Sequence, residues 1–98
     1  MYRGTTPTLT FTLPFDSAEL TVCSIAFAQG DTVVLEKTLS DCQQAGRTLS
    51  VTLTERDTLR FDCNKNVKIQ LRCGCGEARL ASQIISANVE RILKDGCL

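Results

Sequence analysis

The residues of this 98-residue chain best suited to chemistry are its six cysteines, Cys23, Cys42, Cys63, Cys73, Cys75 and Cys97. The sharpest candidate site is Cys73-Gly74-Cys75, with Cys63 and Cys97 as further thiols that could close a tetrahedral zinc site. Familiar structural zinc sites use C-x2-C pairs, which this spacing does not match. The pattern therefore favours reduced thiols, with Cys73 facing the core and Cys75 in a hairpin turn. Metal binding and a disulfide such as Cys63–Cys97 remain alternatives.

Composition excludes several kinds of active site. The chain contains no histidine, so a Ser-His-Asp triad, a Cys-His pair or a histidine-ligated metal cannot be built from it alone. Nothing in the spacing of the carboxylates requires two of them to converge in a cleft, and we expect them to be solvated. They are Asp16, Glu19, Asp31, Glu36, Asp41, Glu55, Asp57, Asp62, Glu77, Glu90 and Asp95. We therefore predict no catalytic residue, no bound cofactor or metal and no small-molecule substrate.

Charge argues against a nucleic-acid partner. Eleven basic residues balance eleven acidic ones, whereas nucleic-acid-binding domains are usually basic. Lys65, Lys68, Arg72 and Arg79 could form a basic strip on the exposed face of the last hairpin, but no exposed aromatic residue is predicted on which a base could stack. We interpret the strip as a solvated strand face.

The sequence also bounds the compartment. No apolar stretch follows a basic start, so no signal peptide is predicted, and no run of 18 apolar residues predicts a membrane span. We expect synthesis in the cytoplasm, where most of the cysteines would stay reduced.

Alternation of apolar and polar residues is the main structural signal. It predicts strands at residues 8–13, 20–29, 33–39, 49–53, 67–73 and 78–87. Residues 20–29 are apolar on both faces, as in a central strand or one covered on both sides. Residues 41–46 are predicted to be a loop, and residues 74–77 a tight turn. We expect the tail to continue as strand to about Val89 and then to turn, with a helix as the alternative because Val89, Ile92 and Leu93 also fit one helical face. Thr54-Glu55-Arg56-Asp57 predicts a capping box that opens one helical turn, after which Leu59 and Phe61 enter the core.

These elements predict an all-β protein with one domain spanning residues 1–98. The expected fold is a small antiparallel β-sandwich or partly open barrel of six to seven strands, with one short helical turn near residues 54–58. The first strand and the C-terminal segment are the candidate edge strands, where a neighbouring chain could add a strand of its own.

Three segments resemble small prophage-encoded structural proteins of Gram-positive bacteria. They are YRGTTPTLTFTL at residues 2–13, LTERDTLRF at residues 53–61, and VKIQLR at residues 67–72 with the following glycine turn. The ending from Val89 through Gly96 fits the same pattern, while Glu55, Arg56 and the cysteines depart from it. The resemblance implies a tail- or baseplate-associated protein, present in the bacterial host cytoplasm during assembly and, as a particle component, in the virion.

The leading hypothesis is therefore a non-enzymatic phage or prophage structural or assembly protein that acts through protein–protein contacts. Its partners would be other phage structural proteins or further copies of itself. Two alternatives stay open at this point. One is a small intracellular regulatory module that binds a protein or peptide, and the other is a cysteine-based metal or redox protein.

Overall fold

The computed structural model describes residues 1–82, 84–94 and 96, which contain two antiparallel sheets. The smaller sheet has the order β1-β5-β4, with β1 at Thr8–Thr12, β5 at Thr48–Thr52 and β4 at Cys42–Ala45. The larger sheet has the order β3-β2-β6, and β7 and β8 pair one after the other with the free side of β6. Its strands are β2 (Val22–Gln29), β3 (Thr32–Thr38), β6 (Val67–Cys75), β7 (Ala78–Ala81) and β8 (Ile85–Ala87).

The prediction of an all-β antiparallel sandwich is confirmed. One core lies between the two sheets, because the buried apolar residues come from both of them. Leu49 and Val51 of β5 belong to the same core cluster as Ile25 and Phe27 of β2, and all four are at most 1% exposed. Burying such side chains provides most of the driving force for folding.

Strict alternation predicted the inward face of β6 correctly. On β6, Val67, Ile69, Leu71 and Cys73 are buried, whereas the intervening Lys68 and Arg72 are exposed. On β2 the same alternation buries Cys23, Ile25, Phe27 and Gln29, and β2 lies between β3 and β6 as expected for a central strand. The side-chain period of two thus oriented β6, whereas the apolar residues on both faces of residues 20–29 left the inward face of β2 undecided.

The number of strands needs correction, because the described part of the chain forms eight where six to seven were predicted. Residues 41–46 are not a loop: Leu39–Asp41 is a short 3-10 helix and Cys42–Ala45 is strand β4. Apart from half-buried Cys42, β4 is exposed, so it lacks the apolar alternation that identifies a strand in a sequence. Backbone pairing with β5, across a turn with Gly46 at a φ of 54°, holds it in place.

The last hairpin also differs from the prediction. Strand β6 continues through Cys75, so this residue is half-buried in a strand and the turn is formed by Gly76 and Glu77. The returning segment is interrupted at Ser82, whose Oγ accepts the Leu71 N–H at 3.0 Å in place of a backbone carbonyl. The register with β6 consequently shifts by one residue between β7 and β8. Strand β8 ends at Ala87, earlier than predicted, and Glu90 then forms a parallel bridge with Tyr2.

The predicted helical turn is confirmed as α1 (Glu55–Leu59). Its capping box is formed in both directions: the Thr54 hydroxyl accepts the Asp57 N–H at 3.1 Å, and the Asp57 carboxylate accepts the Thr54 N–H at 2.9 Å. The same carboxylate is 2.8 Å from Nζ of Lys37, which lies across from Ile25 at the margin of the core. Of the two residues expected to enter the core, Phe61 is buried and Leu59 is half-buried.

Replacement of Asp57 by asparagine is expected to lower the free energy of unfolding by about 1.5 kcal/mol at pH 7, because Lys37 loses its partner in a mostly buried position. Partial burial raises the pKa of Asp57, but hydrogen bonds from Lys37 and Thr54 outweigh it and leave this pKa below its usual value. The contribution is therefore present above the unfolded-state pKa, near 3.9, and is lost as the pH falls below it. Urea denaturation of wild type and Asp57→Asn at pH 7 and at pH 3 measures the difference in the free energy of unfolding at each pH.

Asp31→Asn provides the matched control, because Asp31 is exposed in the β2–β3 turn. It should change stability by less than about 0.5 kcal/mol at either pH. Equal effects of the two substitutions at pH 7 would contradict a stabilising role of the Lys37–Asp57 pair.

Candidate functional site

The cysteines meet in an arrangement that their sequence spacing does not show. Cys23 on β2 lies directly opposite Cys73 on β6. Because Ser82 N–H donates to Leu71 O, the odd-numbered residues of β6 direct their backbone groups toward β7. Cys23 and Cys73 are therefore a non-hydrogen-bonded pair, the arrangement in which facing side chains are closest. Cys42, in the smaller sheet, lies against Cys23 and donates its S–H to Thr38 O at 3.3 Å.

Burial keeps this cluster protonated. Desolvation, followed by the proximity of Cys42, raises the pKa of Cys23 to about 12. Burial also raises the pKa values of Cys42 and Cys73. Thiols rather than thiolates therefore predominate at neutral pH, and the thiolate is the form that attacks electrophiles and binds metals.

The described cysteines of the zinc alternative are divided between β6 and the loop that follows α1. All cysteines that the structure describes are free thiols, and no three cysteine or acidic side chains among these residues are arranged to hold a metal ion. Cys63 lies after α1, beside Arg3 and Arg91. Cys97, the other proposed ligand and partner in a disulfide, lies outside the described residues, as do Asp95 and Leu98.

Alkylation with iodoacetamide at pH 8 is expected to modify Cys63 and Cys75 well before Cys23 and Cys73. Cys63 and Cys75 are half-buried. Cys23 and Cys73 are buried thiols with raised pKa values. Peptide mass spectrometry at successive times measures the order. In 8 M urea the differences should disappear, and similar rates for Cys23 and Cys63 in the folded protein would contradict the burial of the cluster.

Charged side chains form no second centre among the described residues. Eight of the acidic residues are exposed as predicted, while Glu55 and Asp57 are half-buried at α1. Three of the four residues of the predicted basic strip, Lys68, Arg72 and Arg79, share the outer face of the larger sheet. The fourth, Lys65, lies in the loop before β6 and not on this face. Arg79 folds back over its own turn and donates to Gly76 O and Ala78 O.

The two sheets differ in width, and part of the inner side of the wider sheet is left uncovered. Leu80 on β7 and Ile85 on β8 pair with the inward-facing Cys73 and Ile69, yet they are 45% and 50% exposed. A groove of about 270 Å³ runs between this side of the larger sheet and β1. Its lining is largely apolar and includes Phe11, Leu13, Phe15, Leu71, Cys73 and Leu80.

The β1 side of this groove is a free strand edge, as predicted for the first strand. Leu13 N–H donates to Arg47 O and Leu53 N–H to Pro7 O, so the odd-numbered residues of β1 direct their backbone groups toward β5. The N–H and C=O groups of Thr8, Thr10 and Thr12 consequently point the other way. Within residues 1–82, 84–94 and 96, no backbone hydrogen bond reaches them.

The exposure of Leu80 and Ile85 was not anticipated from the sequence. Strict alternation over residues 78–87 would place Leu80 and Ile85 on opposite faces, because they are five positions apart. The one-residue shift between β7 and β8 puts both on the inner side of the sheet, and no local signal predicts that shift.

Comparison of this chain with models of known families, with curated proteins and with solved structures finds no match. Among the residues that the structure describes, no helix has the length and apolar character needed to cross a membrane.

Proposed function

We propose that this chain is a non-enzymatic structural or assembly protein of a phage or prophage particle, associated with the tail or baseplate. It acts by accepting an extended strand from a neighbouring structural protein at the edge of β1. The resemblance of residues 2–13, 53–61 and 67–72 to prophage-encoded structural proteins motivates the particle role.

The observation that carries the proposal is the free edge of β1 above an uncovered apolar surface. A strand added beside β1 would bond to the unpaired N–H and C=O groups of Thr8, Thr10 and Thr12. It would also widen the smaller sheet on the side of the groove, where its inward side chains would cover Leu80. Backbone bonds give such a contact affinity, and alternate apolar side chains of the incoming strand give it specificity.

The test compares Thr10→Pro with Thr10→Val in the lysogen that encodes the chain. Proline removes the outward N–H of Thr10 while leaving the bonds between β1 and β5, because edge positions tolerate proline. Valine keeps the N–H and suits a strand. We expect mass spectrometry of purified particles to detect the wild-type chain and Thr10→Val, with Thr10→Pro reduced at least tenfold.

Purified Thr10→Pro must remain folded, which circular dichroism and thermal unfolding establish. Absence of the wild-type chain from purified particles would overturn the particle role and favour a regulatory protein inside the host. Equal incorporation of Thr10→Pro and Thr10→Val would overturn strand addition at β1.

A further inference from the structure

The outer face of the larger sheet has a flat centre with charges on both sides. Its central strand, β2, contributes the small residues Ser24, Ala26 and Ala28, which are half-buried. Exposed Glu36 lies on one side, on β3, and exposed Lys68 and Arg72 lie on the other side, on β6. Two exposed valines mark the periphery of this face, Val22 at 47% and Val33 at 58% exposure.

The register fixes where these charges lie. Glu36, Ala26 and Gln70 form one row across the three strands. Lys68 and Arg72 flank Gln70 at two residues' distance on either side, which is about 7 Å along a strand. No partner for Glu36, Lys68 or Arg72 is found among the residues that the structure describes.

We propose that this face binds a second copy of the chain about a two-fold axis parallel to β2 that passes over Ala26. Such an axis places Ala26 opposite the partner's Ala26, and β3 of each copy over β6 of the other. Glu36 then lies over the partner's Gln70, between the partner's Lys68 and the partner's Arg72. The two-fold symmetry repeats this contact, so one surface provides both halves of a charge-complementary interface.

The small side chains make this approach feasible. Ala26 and Ala28 project little above the backbone, so two such faces can approach without displacing bulky groups, while the long side chains of Glu36, Lys68 and Arg72 reach across from the margins. The overlapping area spans three strands, or roughly 300 Å² of flat face per copy. Stable dimers bury about 800 Å² per partner, so we expect weak, reversible association with a Kd on the order of 100 µM.

This dimer goes beyond the proposed function and uses a different surface. The β1 edge belongs to the smaller sheet, on the other side of the core, so both contacts can form at once. Failure of the dimer proposal is therefore distinguishable from failure of the proposed function. A chain that dimerises but is missing from particles contradicts only the particle role, and a strictly monomeric chain found in particles contradicts only the dimer.

Sedimentation equilibrium of the full chain between 10 µM and 1 mM tests the interface. We expect wild type to approach the dimer mass, and Glu36→Lys or the double variant Lys68→Glu/Arg72→Glu to weaken association at least tenfold. An equimolar mixture of these two proteins should recover the dimer mass, because the first presents a basic face and the second an acidic one. Association of wild type should also weaken in 0.5 M NaCl, since exposed charges are screened.

Glu77→Lys and Lys65→Glu are the matched controls, since they reverse exposed charges away from this face and should leave association unchanged. Thermal unfolding of every variant establishes that it is folded, and Glu36→Ala replaces Glu36→Lys if the latter is not. A monomeric wild type at 1 mM overturns the proposal. So does association that the charge reversals do not change, or a mixture that remains monomeric.

Discussion

Replacement of Phe61 by alanine is expected to lower the free energy of unfolding by about 4 kcal/mol. Phe61 is 1% exposed, and its ring packs against Phe27 with a centroid distance of 6.0 Å and an interplanar angle of 40°. Truncation removes buried apolar surface, leaves a cavity and breaks this aromatic contact. Because domains of this size are stabilised by only about 5–15 kcal/mol, urea denaturation should show a large shift of the midpoint.

Val33→Ala is the control for this substitution, because Val33 is 58% exposed on β3. It should cost less than about 0.5 kcal/mol. A double-mutant cycle with Phe27→Leu and Phe61→Leu measures the contact between the two rings. A loss below about 1.5 kcal/mol for Phe61→Ala would contradict the close packing of Phe61 in the core.

Replacement of Gln29 by glutamate is expected to cost about 3 kcal/mol at pH 7.5, although the side chains have nearly the same shape. Gln29 is 5% exposed. Its Nε2 donates to Asp62 O at 2.7 Å and to Lys65 O at 3.0 Å, and its Oε1 accepts the Asp62 N–H at 2.8 Å. A carboxylate would place an oxygen against both carbonyl oxygens, where no donor remains, and would bury an unpaired charge.

The cost of this substitution should depend on pH. Burial and the facing carbonyl oxygens raise the pKa of the introduced carboxyl group in the folded state above its unfolded value of about 4.3. The folded variant then binds a proton more tightly than the unfolded chain does, so its stability relative to wild type rises as the pH falls. Urea denaturation should give a difference near 3 kcal/mol at pH 7.5 and near 1 kcal/mol at pH 4.

Gln43→Glu is the matched control, because Gln43 is exposed on β4. It should change stability by less than about 0.5 kcal/mol across the same pH range. A Gln29→Glu variant as stable as Gln43→Glu would mean that the hydrogen bonds of Gln29 to the backbone of residues 62–65 do not stabilise the protein.

Local patterns in the sequence predicted a large part of this fold. The alternation of residues 67–73 oriented β6, because neighbouring side chains of a strand point to opposite faces. Thr54 and Asp57 identified the start of α1, because a capping box is completed within four consecutive residues. Strand β4 escaped prediction because backbone pairing, rather than an apolar face, holds it in the sheet.

The sequence did not predict the buried polar contacts. Gln29 continues the inward face of β2, a position where alternation predicts an apolar residue. What makes it suitable there is the backbone of residues 62–65, which supplies all three of its hydrogen-bond partners from more than 30 positions away.

The sequence by itself determined the cleanly alternating strands β1, β5 and β6, the inward face of each and where the helical turn begins, because these properties depend on neighbours within a few positions. Only the tertiary structure decided which strands lie side by side. Register alone placed Cys23 opposite Cys73 and set Glu36 in one row with Ala26 and Gln70. The unequal width of the two sheets exposed Leu80 in the groove beside the free edge of β1. Both outcomes arise from pairing between distant segments, which no local periodicity encodes.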